Sequence, residues 1–491
     1  MASRYMYSTV EVTLHPELLI VSDRCPKALM IGGTASHVGK SWMATAICRW
    51  LRRRGVDVAP FKAQNMSNNS YPCEDGEEIG RAQAVQAEAC GLRPSADMNP
   101  ILLKPTSSVG SQVVVQGRVW RNLQAYEYYE QHSYLAEKVA ESYARLAARH
   151  EFIVVEGAGS IAELNFSATD LVNMGFARRF NIPVLLVGDI DRGGVFASVY
   201  GTLALLDPVD AQLVRAFAIN RFRGDRSLFA KGRELLEQRT AKPCLGIFPF
   251  LDGVQLDAED SVVLDEWCAM TAGGPAIAVV QFPRISNFTD FRLLTSALWV
   301  QRPVRRLFDV VILPGSKNTI ADLQWMRSLG LDAWVREQHA NGALVAGICG
   351  GYQMLGERIE DPGKVDSQET FATGLGMLPV RTTLLPVKTT RVVSARTPSG
   401  CPFSAYEIHM GETKRPVGAE PFAFVDGIPE GIRWDRCIGT YLHGALENPD
   451  VVEEWFGFRP RQVISKDECY DRLADWFEQS ANVALFERLF L

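Results

Sequence analysis

Short apolar, β-branched runs that stop at glycine or a small polar residue, each followed by a helical stretch, recur along most of this chain. ALMIGG (28–33), VDVAPFKAQN (56–65), FIVVEGAG (152–159), IPVLLVGDID (182–191) and RAFAINRF (215–222) form one series. Strands that are apolar throughout need cover on both faces, and alternation with helices supplies it around a parallel sheet. The rhythm breaks over 251–275, LDGVQLDAEDSVVLDEWCAMTAGGP, and then resumes. AIAVVQF (276–282), FDVVILPG (308–315), GALVAGICGG (342–351), GLGMLPV (374–380) and CIGTYLHG (437–444) form the second series. The expected organisation is therefore α/β in two domains. Residues 1–26 are an extension, 27–250 the first domain, 251–275 a linker, 276–450 the second domain and 451–491 a helical tail. In such folds the chemistry gathers at the carboxyl ends of the strands.

Composition narrows the function. The 491 residues are 47% hydrophobic and 22% charged, with 51 Lys and Arg against 57 Asp and Glu and a net charge of −6. Phosphate backbones demand a basic excess or stripe, so no nucleic-acid partner is expected. No apolar run approaches the ~20 residues of a membrane span, and the N-terminus lacks the pattern of a signal peptide. The ten cysteines are scattered, without C-x-x-C pairs or zinc-like Cys/His spacing, which suits reduced thiols in a cytoplasmic protein. Nothing here opposes a homo-oligomer.

Gly33-Thr34-Ala35-Ser36-His37-Val38-Gly39-Lys40-Ser41 lies between the first strand and a helix. That context suits a phosphate loop: exposed backbone N–H groups, a helix N-terminus, Lys40 for the β/γ-phosphates and the Ser41 hydroxyl for Mg²⁺. The spacing departs from G-x-x-x-x-G-K-[ST], because Thr34 takes the first glycine position. The bland alternative is a glycine-rich turn that happens to contain Gly-Lys-Ser. ATP-binding is accordingly expected of Thr34, Gly39, Lys40 and Ser41. Glu156, at the end of the strand FIVVE, is the carboxylate expected to share Mg²⁺ with Ser41.

Gly347-Ile348-Cys349-Gly350-Gly351 follows a buried strand and opens a helix, giving G-x-C-x-G, the thiol form of a nucleophile elbow. Small neighbours permit the tight turn, and a helix N-terminus favours a thiolate. The N–H of Gly350 and a donor from Pro314-Gly315-Ser316 are expected to form an oxyanion hole. A base is needed, and two histidines compete for the part: His443 in GTYLHG and His409 in YEIHMG.

With these residues in view, the chain resembles the cobyric acid synthase family of glutamine-dependent cobalamin-biosynthesis amidotransferases, from about Ala28 to about Leu446. FKAQNMSNNS (61–70), EIGRAQAVQAEA (78–89), NPILLKP (99–105), DIDRGGVFAS (189–198), INRFRGD (219–225), YEIHMGET (406–413) and GTYLHG (439–444) carry the likeness. The threonine in the phosphate loop is also shared with dethiobiotin synthetase and its relatives. The early loop lysine of partitioning ATPases is replaced by Ala35. The resemblance implies a P-loop, dethiobiotin-synthetase-like half and a class I, triad-type glutamine amidotransferase half. It also implies Cys349 as nucleophile and His443 as base, and a ligase that uses ATP, Mg²⁺, glutamine and a corrinoid polycarboxylate. The implied acceptor is adenosylcobyrinic acid a,c-diamide, amidated on its b, d, e and g side chains. Class I enzymes usually carry a glutamate two residues after the histidine. Here Ala445 stands there and Glu447 lies two further on, so the group that orients His443 is not evident.

Lys62, Gln64, Asn65, Asn68, Arg81, Lys104, Arg192 and Arg221 lie in family motifs or near strand ends and are expected to contact that polyanionic acceptor, with structural ion pairing as the competing role. Two alternatives stand beside the main reading: the sibling cobyrinic acid a,c-diamide synthase, and a non-enzymatic P-loop nucleotide switch.

Overall fold

The computed structural model describes residues 27–106, 110–165, 170–254, 256–257, 274–367, 369–461 and 464–491. The expected extension 1–26 and most of the expected linker lie outside the described residues. Strands β1 (Lys27–Gly33), β2 (Val58–Phe61), β3 (Phe152–Glu156), β4 (Val184–Asp189), β5 (Val214–Phe222) and β6 (Cys244–Pro249) form one sheet in the order β6-β5-β4-β1-β3-β2. Every pairing in it is parallel. Successive residues enter opposite cores: Met30, Ile153, Val155 and Leu186 on one face, Leu29, Ile31, Val154 and Leu185 on the other. That two-sided burial is why the strand interiors are near-continuous apolar runs rather than alternating ones.

The second sheet comprises β7 (Ile277–Val280), β8 (Leu298–Val300), β9 (Val310–Leu313), β10 (Leu344–Ile348), β11 (Ile432–Trp434) and β12 (Cys437–Thr440), in the order β8-β7-β9-β10-β12-β11. All pairs are parallel except the edge pair β11/β12. GLGMLPV (374–380), expected as a strand, is a loop. Its backbone is used otherwise: the N–H groups of Leu375, Met377 and Leu378 donate to the carbonyls of Met354 and Leu355. They thereby close the C-terminus of the helix Gly350–Leu355, whose last carbonyls need donors.

Two further β-structures accompany these sheets, the second of them mixed, since Gln64–Met66 pairs parallel with Ile101–Pro105. A long hairpin pairs Arg381–Arg396 with Pro402–Lys414. A four-stranded sheet built from Gln64–Met66, Ile101–Pro105, Gly110–Val115 and Arg118–Gln124 is inserted between β2 and β3. The expected tail divides in two. Val451, Val452 and Trp455 join the core of the second sheet. The helices Lys466–Ser480 and Val483–Phe490 return to the first. There Phe477 and Phe486 meet Trp50 edge to face at 5.4 and 5.5 Å, and Asp471 and Asp475 pair with Arg49 and Arg53.

Candidate functional site

The phosphate loop leaves β1, near the centre of its sheet, and turns into the helix Lys40–Arg53 through Gly39, whose φ of 101° suits glycine. A side chain there would meet the amide of Asn220 at 2.1 Å, and Asn220 itself donates to Val38 O at 2.9 Å. Lys40 is buried, its ammonium donating to Ala35 O at 2.9 Å and Gly159 O at 2.8 Å. The pairing of β1 with β3 sets Ile31 opposite Glu156, which brings the carboxylate to the loop. The Ser41 hydroxyl donates to Glu156 Oε1 at 2.8 Å, Lys62 Nζ lies 3.0 Å from the same oxygen, and Gln86 Nε2 donates to Oε2 at 2.5 Å. Burial alone would raise the Glu156 carboxyl, but Lys62, Gln86 and Ser41 outweigh it and hold it below its ordinary value.

Gly39, Lys40, Ser41, Lys62 and Glu156 line a cleft of about 500 Å³. The other half of the chain contributes to its wall: Phe288, Thr289 and Arg292 come from the turn after β7. Among the residues expected to contact the acceptor, Lys62, Asn65 and Arg221 line this cleft. Arg221 also pairs with Asp189 at 3.0 Å. Gln64 is bonded to the Tyr128 hydroxyl, and Arg192 is exposed. Arg81 and Lys104 are buried in ion pairs. Arg81 binds Asp257 Oδ2 at 2.5 Å and lies over the rings of Tyr71 and Tyr406. Lys104 binds Glu78 at 2.6 Å. Burial pulls Lys104 down to about 7 despite the partial compensation from Glu78. Asn68 and Lys104 face a different cavity, the one over Cys349.

Cys349 sits where β10 turns into the helix Gly350–Leu355, with φ 52° and ψ −108°. A non-glycine residue with positive φ is strained and needs surrounding structure to hold it. The Cys349 N–H donates to Thr440 O at 2.8 Å, and the glycines let the turn pack against β9: a side chain at Gly351 would lie 1.9 Å from Leu313 O. Gly350 lies against Ser316, and Gly315 against the His443 ring, so the two expected oxyanion donors border the nucleophile and the imidazole. His409 also lines the Cys349 cavity, but its Nδ1 is within 2.8 Å of Gly411 O and its ring stacks on Tyr441.

His443 is fully buried and stacks on Tyr406 at 5.3 Å. Its Nδ1 lies 2.7 Å from Asp290 Oδ2, and Asp290 Oδ1 accepts the Gly444 N–H at 2.7 Å. Burial opposes the imidazolium, but Asp290 and then Cys349 outweigh it and raise His443 to about 10. Asp290 was not singled out by sequence reasoning: it stands 153 residues from His443, and the only local signal is a carboxylate among apolar residues just after a strand. Glu447 turns away, pairing with Lys466 at 2.8 Å and Arg81 at 3.6 Å.

Two family models match the chain. Residues 29–263 match the CobQ/CobB/MinD/ParA nucleotide binding domain, and residues 276–451 match the CobB/CobQ-like glutamine amidotransferase domain. The cobyric acid synthase of Paracoccus denitrificans is 46% identical over 481 residues, covering 94% of this chain and 99% of that protein. The chain belongs to the cobyric acid synthase family. A Cereibacter sphaeroides member is 48% identical over 476 residues, covering 93% of this chain and 98% of its own. The Chlorobium phaeobacteroides member is 45% identical over 491 residues, covering 94% and 96%. As in that family, a nucleotide-binding half and a glutamine amidotransferase half are joined in one chain, which makes this protein an enzyme of the amide-forming ligase type. Among the described residues no helix is long and apolar enough to cross a membrane.

Proposed function

We propose that the protein amidates the b, d, e and g carboxylates of adenosylcobyrinic acid a,c-diamide, using ATP and glutamine-derived ammonia, to give adenosylcobyric acid. The observation that carries this reading is the short element Phe288–Phe291. Phe288 and Thr289 line the phosphate cleft while Asp290 holds His443, so one turn of chain touches both reaction centres.

Amide formation from a carboxylate faces two obstacles, a poor leaving group and ammonia held as ammonium. The phosphate cleft addresses the first. An acceptor carboxylate oxygen attacks the γ-phosphorus, the bond to ADP breaks, and an acyl phosphate forms. Lys40 and the loop N–H groups stabilise the charge spread over the transferring group. Lys62 and Arg221, both in the cleft wall, are suited to hold the acceptor's carboxylates. Ser41 and Glu156 offer the hard oxygen donors that suit Mg²⁺ accompanied by water and phosphate. When bound there, the ion would supply further positive charge to the phosphates.

The second centre addresses the other obstacle. Cys349 sulfur attacks the side-chain carbonyl carbon of glutamine, and the backbone N–H groups of Gly315 and Gly350 are the donors we assign to the oxyanion. His443, held by Asp290, takes the thiol proton and delivers it to the leaving nitrogen. The carbon–nitrogen bond breaks, ammonia departs, and water then hydrolyses the thioester to glutamate. Unprotonated ammonia attacks the acyl phosphate carbon and phosphate leaves.

Mass spectrometry tests the reading with this acceptor, ATP, Mg²⁺ and amide-labelled glutamine. Four labelled amides are expected, with Cys349→Ala amidating only from ammonium. Turnover of cobyrinic acid at its a and c groups instead would move the assignment to the sibling synthase. ATP hydrolysis with no amidation of either acceptor would revive the nucleotide switch.

A further inference from the structure

The cavity over Cys349 is not enclosed by the glutaminase half alone. Lys317, Gln353, Asp366 and His409 line it from that half, and Asn68 and Lys104 line it from the nucleotide half. Asn68 was expected among acceptor contacts, yet it is absent from the wall of the phosphate cleft. Its Oδ1 is buried and accepts no hydrogen bond among the described residues. A buried amide oxygen without a donor is unfavourable and uncommon, and Asn68 lines the cavity in which a ligand would bring one.

The segment carrying Asn68 is docked rather than loosely apposed. The Ser70 N–H donates to Asn287 Oδ1 of the other half at 3.1 Å. Lys104 donates to Ser70 Oγ at 2.7 Å and to Glu78, whose other oxygen takes Lys388 of the other half at 2.5 Å. The opposite wall bears two cations, Lys317 and Lys388, and one anion, Asp366; Lys388 is taken up by Glu78, which leaves Lys317 and Asp366 to face a ligand. Asp366 Oδ2 accepts the Thr319 N–H at 2.7 Å, and Lys317 has no carboxylate within 4 Å among the described residues. Such a wall is complementary to a zwitterionic amino acid, and glutamine adds an amide whose N–H groups need an acceptor.

We infer that Asn68, supplied by the nucleotide half, is a glutamine-binding residue that accepts a hydrogen bond from the substrate seated at Cys349. The inference rests on Cys349 being the nucleophile. It makes the glutamine site a composite of both halves, so that binding of glutamine depends on their docking.

The test uses the full-length protein with Asn68→Ala and Asn68→Asp, assayed by glutamate release and, separately, by ATP-dependent amidation from ammonium. For Asn68→Ala the expected result is a KM for glutamine raised about tenfold, with the ammonium-driven kcat and the acceptor KM within about twofold of wild type. Asn68→Asp keeps an acceptor oxygen and is expected to regain most of the glutamine affinity. An unchanged glutamine KM would overturn the inference, as would a raised acceptor KM, which would return Asn68 to the corrinoid site. Equal loss of both activities would assign it a purely structural part and overturn it too. Cys349→Ala run alongside keeps the two levels apart: if that variant still released glutamate, the reading of the nucleophile would fail, not the reading of Asn68.

Discussion

The carboxylate of Asp290 lies 2.7 Å from Nδ1 of His443, and both side chains are buried. It thereby occupies the orienting position that Ala445 leaves vacant and that Glu447, drawn off by Lys466 and Arg81, does not fill. Such a contact selects the ring tautomer and sustains the imidazolium, a partnership whose loss is costly even when geometry survives.

Asp290→Asn is therefore expected to lower glutamine-driven kcat by about 10²- to 10⁴-fold, with ammonium-driven amidation much less affected. The pH profile should move as well. The acid is held at about 10 by Asp290 and Cys349 against burial, so removing the carboxylate lets His443 lose its proton at lower pH. The limb assigned to His443 should shift downward, which glutamate release measured across pH would register.

Glu156→Gln separates the two centres. The change removes the carboxylate shared by Ser41, Lys62 and Gln86 while leaving Cys349 and its neighbours in place. ATP-dependent amidation should fall by about 100-fold or more, with glutamine hydrolysis retained. Parallel assays of ADP and glutamate decide it.

Gly351→Ala tests the elbow. The added carbon would lie 1.9 Å from Leu313 O, a backbone atom of a central strand that has no room to retreat. A destabilisation of about 3 kcal/mol or more is expected, seen as an earlier unfolding transition of the glutaminase half in denaturant.

Glu430 gives a pH-dependent stability. Its oxygens accept from Tyr441 N and Thr440 Oγ at 2.7 Å, but burial wins and pushes its carboxyl up to about 7 from 4.5. Between those values the folded protein keeps a proton that the unfolded chain releases, so stability falls as pH rises through that window and stays lower above it. Glu430→Gln should raise the melting temperature by roughly 2–4 °C at pH 8 and change it little near pH 4.5. Calorimetry at the two pH values checks the sign.

Much of this was legible because it is local. Strand runs buried on two faces, the loop ending in Lys40 and Ser41, and the glycines around Cys349 all write their demands into adjacent residues. The failures have the opposite character. GLGMLPV has the apolar content of a strand, but its N–H groups cap a helix end, and no sequence pattern distinguishes those uses. The hairpin from Arg381 to Lys414 is largely exposed along its first strand and lacks the apolar alternation that would announce it. Asp290, and the transfer of Asn68 and Lys104 from one cavity to the other, are products of tertiary docking between segments far apart in sequence.

The return of the last two helices to the first sheet also bears on the order in which the protein can be made. Trp50 and the rest of that face wait for Phe477 and Phe486, residues synthesised only after the whole glutaminase half has been translated. Domains tend to fold as they emerge, yet here the half that emerges first is the one finished last. Its nucleotide-binding surface therefore acquires its final support only in a molecule that already contains a source of ammonia.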